Sequence, residues 1–227
     1  MAKFSRVKVV NTILDCGMVP LLYNPDVEVC KKIVTACYNA GIHVFEFTNR
    51  GDFAQEVFSE LVKYVDKQLP EMILGVGSVV DSSTAAMYMQ MSANFIVSPL
   101  LNEDMAKVCN RRKVLWMPGC GSLSEISKAE ELGAEIVKLF PAKQLGGPSF
   151  IKSIKPPCPW TSIMPSGGVE AEEANLREWF SAGAVCVGMG SNLFPSSLIK
   201  NQQFDELEKK LKTTFQMVQK IKKEYIN

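Results

Sequence analysis

The chain has 227 residues, 47% of them hydrophobic and 22% charged, with a formal net charge of +1. Such a chain can bury a sizeable core without staples. Its charge makes no electrostatic case for nucleic acid, and no apolar run is long enough to span a membrane. The opening stretch MAKFSRVKVVNTIL lacks the uninterrupted apolar run and cleavage site of a signal peptide, so a cytoplasmic location is expected.

Taken in order, residues Lys3 to Cys16 are predicted to form a short helix. Short apolar runs then alternate with amphipathic stretches. Strands are predicted at MVPLLY from Met18, HVFEFT from His43, MILGVG from Met72 and NFIVS from Asn94. They continue at VLWMP from Val114, EIVKLF from Glu135, TSIMPS from Thr161 and AVCVGM from Ala184. The helices between them carry end signals. Asn24-Pro25 is expected to cap and start one, which Gly41 ends. Ser122 and Glu125 form a capping-box pattern, and Ala171 to Ala182 makes a helix closed by Gly183. From Phe204, Leu207, Leu211, Phe215, Val218 and Ile221 recur at helical spacing, predicting a C-terminal amphipathic helix that packs on the rest of the fold. No linker or low-complexity tract divides the chain, so 1–227 reads as a single domain. Eight strand–helix units predict the α/β class and a (β/α)8 TIM barrel with added N- and C-terminal helices. The competing doubly wound sheet uses fewer units and a Gly-rich first turn, absent here.

Seven scattered cysteines without a C-x-x-C pair read as reduced core fillers. With a single histidine, His43, no protein-bound catalytic metal is expected, and no cofactor.

Lys138 is the anomaly. It lies in the middle of an apolar strand, where loss of hydration costs several kcal/mol unless the site compensates. Three strands follow helix-ending glycines, Gly41, Gly133 and Gly183, and Glu46, Lys138 and Gly188 fall at the same offset from them. On barrel strands of one parity, Glu46 and Lys138 would point inward at similar height, with Gly188 leaving room beside them. The pair is either catalytic or a structural ion pair, and strand context alone does not decide between the two.

FEFTNR (Phe45–Arg50), GVGSV (Gly75–Val79), VSP (Val97–Pro99) and MPG (Met117–Gly119) occur in order, followed by VKLFPA (Val137–Ala142), MPSGGV (Met164–Val169) and VGMGSNLF (Val187–Phe194). From about Met18 to Phe194 the chain resembles the 2-keto-3-deoxy-6-phosphogluconate (KDPG) aldolase family, which includes the 4-hydroxy-2-oxoglutarate (KHG) aldolases. The resemblance implies a (β/α)8 barrel, metal-independent class I aldolase chemistry on a keto-acid substrate, and a homotrimer. Lys138 matches the family's Schiff-base lysine and Glu46 its acid/base residue. Arg50 and Ser78 would hold the substrate carboxylate. Gly167, Gly168, Gly190 and Ser191 follow the last two strands, where barrels of this class often bind phosphate. Phe140, Ser166, Pro99 and Pro118 would line the site. Departures concern the mouth: Ser78 and Ser166 stand where the family has threonine, Leu100 where glycine is common, and Gly121 and Ser122 where a small residue and threonine are usual. The expected reaction cleaves a 2-keto-3-deoxy acid, foremost KDPG, to pyruvate and glyceraldehyde 3-phosphate. The alternatives are a KHG aldolase giving glyoxylate and a non-catalytic barrel that binds a sugar phosphate. A metal-dependent epimerase fits poorly with one histidine.

Overall fold

The apolar runs form strands because both of their faces are covered. All of β1 (Met18–Leu22) but its last residue is buried, and every residue of β2 (Val44–Thr48) and β3 (Ile73–Gly77) is buried, as suits a parallel sheet flanked by helices. The computed structural model describes residues 2–225. The remaining strands are β4 (Phe95–Val97), β5 (Leu115–Met117), β6 (Gly119–Cys120), β7 (Val137–Leu139), β8 (Ile163–Pro165) and β9 (Val187–Met189). All pairings are parallel. One ladder runs β5-β4-β3-β2-β1-β9 and a second runs β6-β7-β8. Pro118 separates β5 from β6, so the expected VLWMP strand is broken where a proline can give no ladder N–H. At the other side, the isolated parallel bridges Ile163–Ala184 and Ser166–Gly188 link the β8 region to the β9 region.

The helices are α1 (Arg6–Cys16), α2 (Val27–Asn39), α3 (Ala54–Gln68), α4 (Ser82–Gln90) and α5 (Glu103–Arg112), then α6 (Leu123–Glu131), α7 (Pro148–Ile154), α8 (Glu173–Ser181), α9 (Ser196–Lys200) and α10 (Phe204–Tyr225). Gly17, Gly41, Gly133 and Gly183 have left-handed φ and end the helices that precede β1, β2, β7 and β9. The capping box forms, though Glu125 reaches back one residue further than usual. Its Oε2 accepts from the Gly121 N–H at 2.8 Å, while Ser122 Oγ accepts from the Glu125 N–H at 3.2 Å. The start of α2 differs from expectation. Asp26 is its N-cap and accepts from Glu28 and Val29, and Asn24 accepts from the Asp26 N–H. Proline at 25 therefore precedes the cap instead of opening the helix. The helix expected over Ala171 to Ala182 is shorter at its start, with Glu172 as N-cap.

Six of the seven cysteines are buried and all are free. Burial pushes the thiols of Cys16, Cys30, Cys109 and Cys120 up to about 12, so they remain neutral fillers. Of the expected apolar stripe of α10, Leu207, Leu211, Val218 and Ile221 are fully buried and Phe215 is half-buried. Its polar side also has a structural task. Gln219 donates to Cys16 O at 2.7 Å and to Asp15 O at 3.0 Å, and Lys222 donates to Leu14 O, so α10 satisfies the last carbonyls of α1. Among the described residues, no helix is long and apolar enough to cross a membrane.

Gly119 marks the tightest backbone approach beside Pro118. A Cβ there would lie 2.2 Å from the Pro99 carbonyl carbon. Backbone cannot swing aside as a side chain can, so Gly119→Ala is expected to destabilise the protein by about 1–3 kcal/mol or more. Urea unfolding checks this; an unchanged midpoint would show that the β4–β6 contact is looser than described.

Candidate active site

The one carboxylate and the one amine of the strands, Glu46 and Lys138, lie on one face of the sheet. Lys138 on β7 stands opposite Gly119 on one side and Met164 on the other. Two residues further along, Ser166 bridges Gly188. Gly188 pairs with Val19, and two residues up β1, Leu21 pairs with Glu46. Paired residues of parallel neighbours point to the same side, as do residues two apart on one strand. Between the Ile163–Ala184 and Ser166–Gly188 bridges the β9 side carries one extra residue. From the latter bridge onward Lys138 and Glu46 project from the same face, within reach of each other's charge. Both are buried, at 5% and 1% exposure. The Lys138 ammonium nitrogen stands 5.0 Å from the centre of the Phe140 ring, and the Lys138 backbone N–H donates to Pro118 O at 2.8 Å. Pro118 thus holds the lysine's strand in place.

Glu46 owes its position to a missing side chain. A Cβ on Gly77 would fall 1.7 Å from Glu46 Oε1, so the glycine clears the space that the carboxyl group fills. Glu46 Oε2 is buried with no hydrogen-bond partner among the described residues. Burial raises the carboxyl above its ordinary range, and the positive charges of Lys138 and Arg50 offset part of that rise. Gly188, expected to leave room beside the pair, faces Ser166: a Cβ there would lie 3.1 Å from Ser166 Oγ.

Beyond the C-terminal strand ends opens a cavity of about 400 Å3. Arg50, Phe140, Ser166, Gly167, Gly168, Gly190 and Ser191 all line it, so most of the residues singled out in the sequence meet here. Arg50, exposed two residues past β2, donates from Nε to Ser78 Oγ at 3.1 Å. Ser78 has a left-handed φ of 59°, a strained conformation for serine that turns the chain toward Arg50. Gly167 and Gly168 have φ of 90° and 87°, which a side chain would tolerate poorly. The Ser166 and Gly167 carbonyls accept from the Ala142 and Lys143 N–H groups, at 2.9 and 3.0 Å, and so fasten this turn to the segment after Phe140.

Lys138, Glu46, Ser78, Pro99 and Pro118 are not among the cavity's walls. Pro118 is buried between β5 and β6, and Pro99 presses its backbone on Gly119. Several residues were not anticipated, among them the cavity-lining Leu21, Leu22 and Val169. Tyr23 and Asn192 line the cavity; both follow strand ends, which was the available signal. Lys143 packs against Gly168, where an added Cβ would meet its Cβ at 2.5 Å. A cation thus stands next to the glycine turn although none lies within it. His43 stacks on Tyr38 at 4.8 Å, just before β2.

Comparison with known proteins agrees with this arrangement. The family model described as KDPG and KHG aldolase matches residues 9–210. The chain belongs to this family. It is 30% identical over 190 residues to the 2-dehydro-3-deoxy-phosphogluconate aldolase of Pseudoalteromonas atlantica, covering 84% of this chain and 86% of that protein. It is 28% identical over 200 residues to the KHG/KDPG aldolase of Escherichia coli K12, covering 87% and 91%. Among solved structures, the fold is similar to that of KDPG aldolase from Legionella pneumophila, with a TM-score of 0.81 at 23% identity over 89% of this chain and 96% of that one. That protein was captured with pyruvate as a covalent carbinolamine. KDPG aldolase from Zymomonas mobilis gives a TM-score of 0.78 at 24% identity, covering 91% and 97%.

The raised carboxyl of Glu46 has a consequence for stability. A group that holds its proton more tightly when folded favours the native state below its unfolded pKa, and that advantage is lost as pH rises toward the folded value. Glu46→Gln removes the dependence. The melting temperature of the variant relative to the parent is expected to rise between pH 4 and pH 8. A difference that is constant across this range would mean that the carboxyl is not raised.

Proposed function

We propose that this protein is a class I aldolase that cleaves a 2-keto-3-deoxy acid, foremost 2-keto-3-deoxy-6-phosphogluconate, to pyruvate and glyceraldehyde 3-phosphate. The observation that carries this reading is the buried amine of Lys138 on the same face of the sheet as the buried carboxyl of Glu46, with the Lys138 nitrogen over the ring of Phe140, which lines the cavity. The neutral Lys138 amine attacks the C2 ketone, giving a carbinolamine whose hydroxyl leaves as water after protonation. The resulting iminium draws in the electron pair of the C3–C4 bond as it breaks, while the C4 hydroxyl gives up its proton and becomes the aldehyde. The enamine left on Lys138 takes a proton at C3, and hydrolysis releases pyruvate. Glu46 relays these protons, giving one to the carbinolamine oxygen and taking one from the C4 hydroxyl, directly or through water. A carboxyl raised by burial holds its proton more readily than an exposed one, which suits a group that must give a proton as well as take one. Arg50, steadied by Ser78, meets a substrate carboxylate with its planar donor fork.

We also propose that 1–227 is one domain whose two ladders close into a (β/α)8 barrel. In support, the register advances two residues at β8 and two more at β1 over the four steps from β7 to β2. One residue per strand is the stagger of an eight-stranded barrel with a shear of 8, and it would bring Lys138 and Glu46 to one height. The resemblance further implies a homotrimer, which sedimentation equilibrium would refute by finding a monomer at micromolar concentration.

Incubation with pyruvate and borohydride is expected to fix one pyruvyl group on the peptide containing Lys138; labelling elsewhere, or none in folded protein, rules the mechanism out. Glu46→Gln should lower turnover by about 10²–10⁴-fold, the range of a general acid–base residue. Normal turnover would leave Glu46 as a mere polar liner.

The relative from Escherichia coli is named for both substrates, so phosphate dependence is the open distinction. The glycine turns, Ser191 and the neighbouring Lys143 favour a phosphorylated substrate. Gly168 is a poor place to test this, because its left-handed φ and the contact with Lys143 penalise any side chain. Ser191 is exposed on the cavity wall. Ser191→Asp is expected to reduce kcat/KM for the phosphorylated acid about tenfold or more, through like-charge repulsion and a lost donor, and to spare 4-hydroxy-2-oxoglutarate. Equal losses on both substrates would place the phosphate elsewhere.

A further inference from the structure

A second cavity, of about 660 Å3, lies at the opposite end of the strands. The start of α1, the end of α4 and the turn from α5 into β5 enclose it, through residues including Phe4, Met89 and Val114. Five cationic side chains line it: Lys3, Arg6, Arg111, Arg112 and Lys113. No carboxylate does. Two of the five are already balanced from outside. Lys3 pairs with Asp66 at 3.5 Å, and Arg6 pairs with Glu135 at 2.7 Å while also donating to Asn110 and Gly133. Arg111, Arg112 and Lys113 take part in no ion pair or hydrogen bond of their side chains among the described residues.

Part of this charge serves the fold. Arg111 and Arg112 occupy the last turn of α5, where cations offset the negative end of the helix. That end is worth about half a charge, so most of the three cations is left over. The first turn of α1 faces the same space without an acidic residue and adds the positive end of a second helix. Lys113 is held in the left-handed region, with φ of 56°. The remaining wall is apolar, from Phe4, Met89 and Val114. A space of this volume suits a small molecule. Adjacent guanidinium forks match phosphate oxygens better than single carboxylates do, since each can offer two parallel donors.

We propose that the cavity bounded by Arg111, Arg112, Lys113 and the start of α1 binds a small molecule with two or more phosphate groups on an apolar body, of the nucleoside triphosphate class. It is separate from the substrate cavity, which opens beyond the other strand ends.

Calorimetric titration with ATP, and with inorganic triphosphate for comparison, tests this. ATP is expected to bind at one site, more tightly than triphosphate, with an affinity that falls as salt is added. Replacing Arg111, Arg112 and Lys113 together by serine should weaken ATP at least about tenfold, the worth of one charge-assisted hydrogen bond, with turnover on the aldol substrate unchanged. If the triple variant does not fold by circular dichroism, Arg112→Gln alone should still weaken ATP several-fold. Ser191→Asp should leave ATP binding intact. The proposal is overturned if ATP binds no better than about 1 mM, if triphosphate binds as well as ATP, or if binding survives the basic-run substitutions, and a loss in Ser191→Asp would then place ATP in the other cavity.

Discussion

Removing Glu46 from water is the constraint that the rest of the site depends on. A carboxyl at 1% exposure without a full set of partners is expensive to keep, and nothing in sheet packing requires it. The surroundings are organised around that cost. Gly77 gives up its side chain to make space, Lys138 and Arg50 supply positive charge, and the carboxyl itself rises toward the neutral form. Each adjustment also suits proton transfer, because a carboxyl raised above its ordinary range, with cations beside it, holds a proton more readily and can still give it up. A pair serving stability alone would be better replaced by apolar side chains of the same volume.

Positioning the amine is a matter of backbone. Lys138 lies on a three-residue strand, fastened by its N–H to Pro118 and in register with Gly119 and Met164. The break at Pro118 and the absence of a side chain at Gly119 allow β4 and β6 to come close beside it. The mouth is built differently, from turns in unusual conformations at Ser78, Gly167 and Gly168. On the proposed reading, the covalent chemistry falls to the strands and recognition to the loops, the usual arrangement in α/β folds.

Much of this was legible in the sequence. The strand positions follow from short apolar runs bounded by glycines, and a lysine within such a run stands out because burial makes it costly. Glu46 was found by its offset from Gly41, matching that of Lys138 from Gly133. What escaped were effects that depend on neighbours distant in sequence. The role of Gly77 is visible only when Glu46 lies over it, and Lys143 reaches the glycine turn through packing against Gly168. Pro118 read as part of the site wall, yet its carbonyl turns out to anchor the lysine's strand. Gly188 makes room for Ser166, a partner brought by a bridge between two strands and not by repeat position. The basic run at Arg111 carries no sequence signal of its own, and only the folded chain sets it against α1.

The fastening of α1 by α10 bears on the order of assembly. The carbonyls of Leu14, Asp15 and Cys16 find their partners in Gln219 and Lys222, some two hundred residues later. During folding those carbonyls stay hydrated until that distant segment folds back on them. Contacts of such long sequence separation are slow to form, because a large loop must close before they reward it. The end of α1 is therefore among the last places to be locked, since it waits for a segment far along the chain.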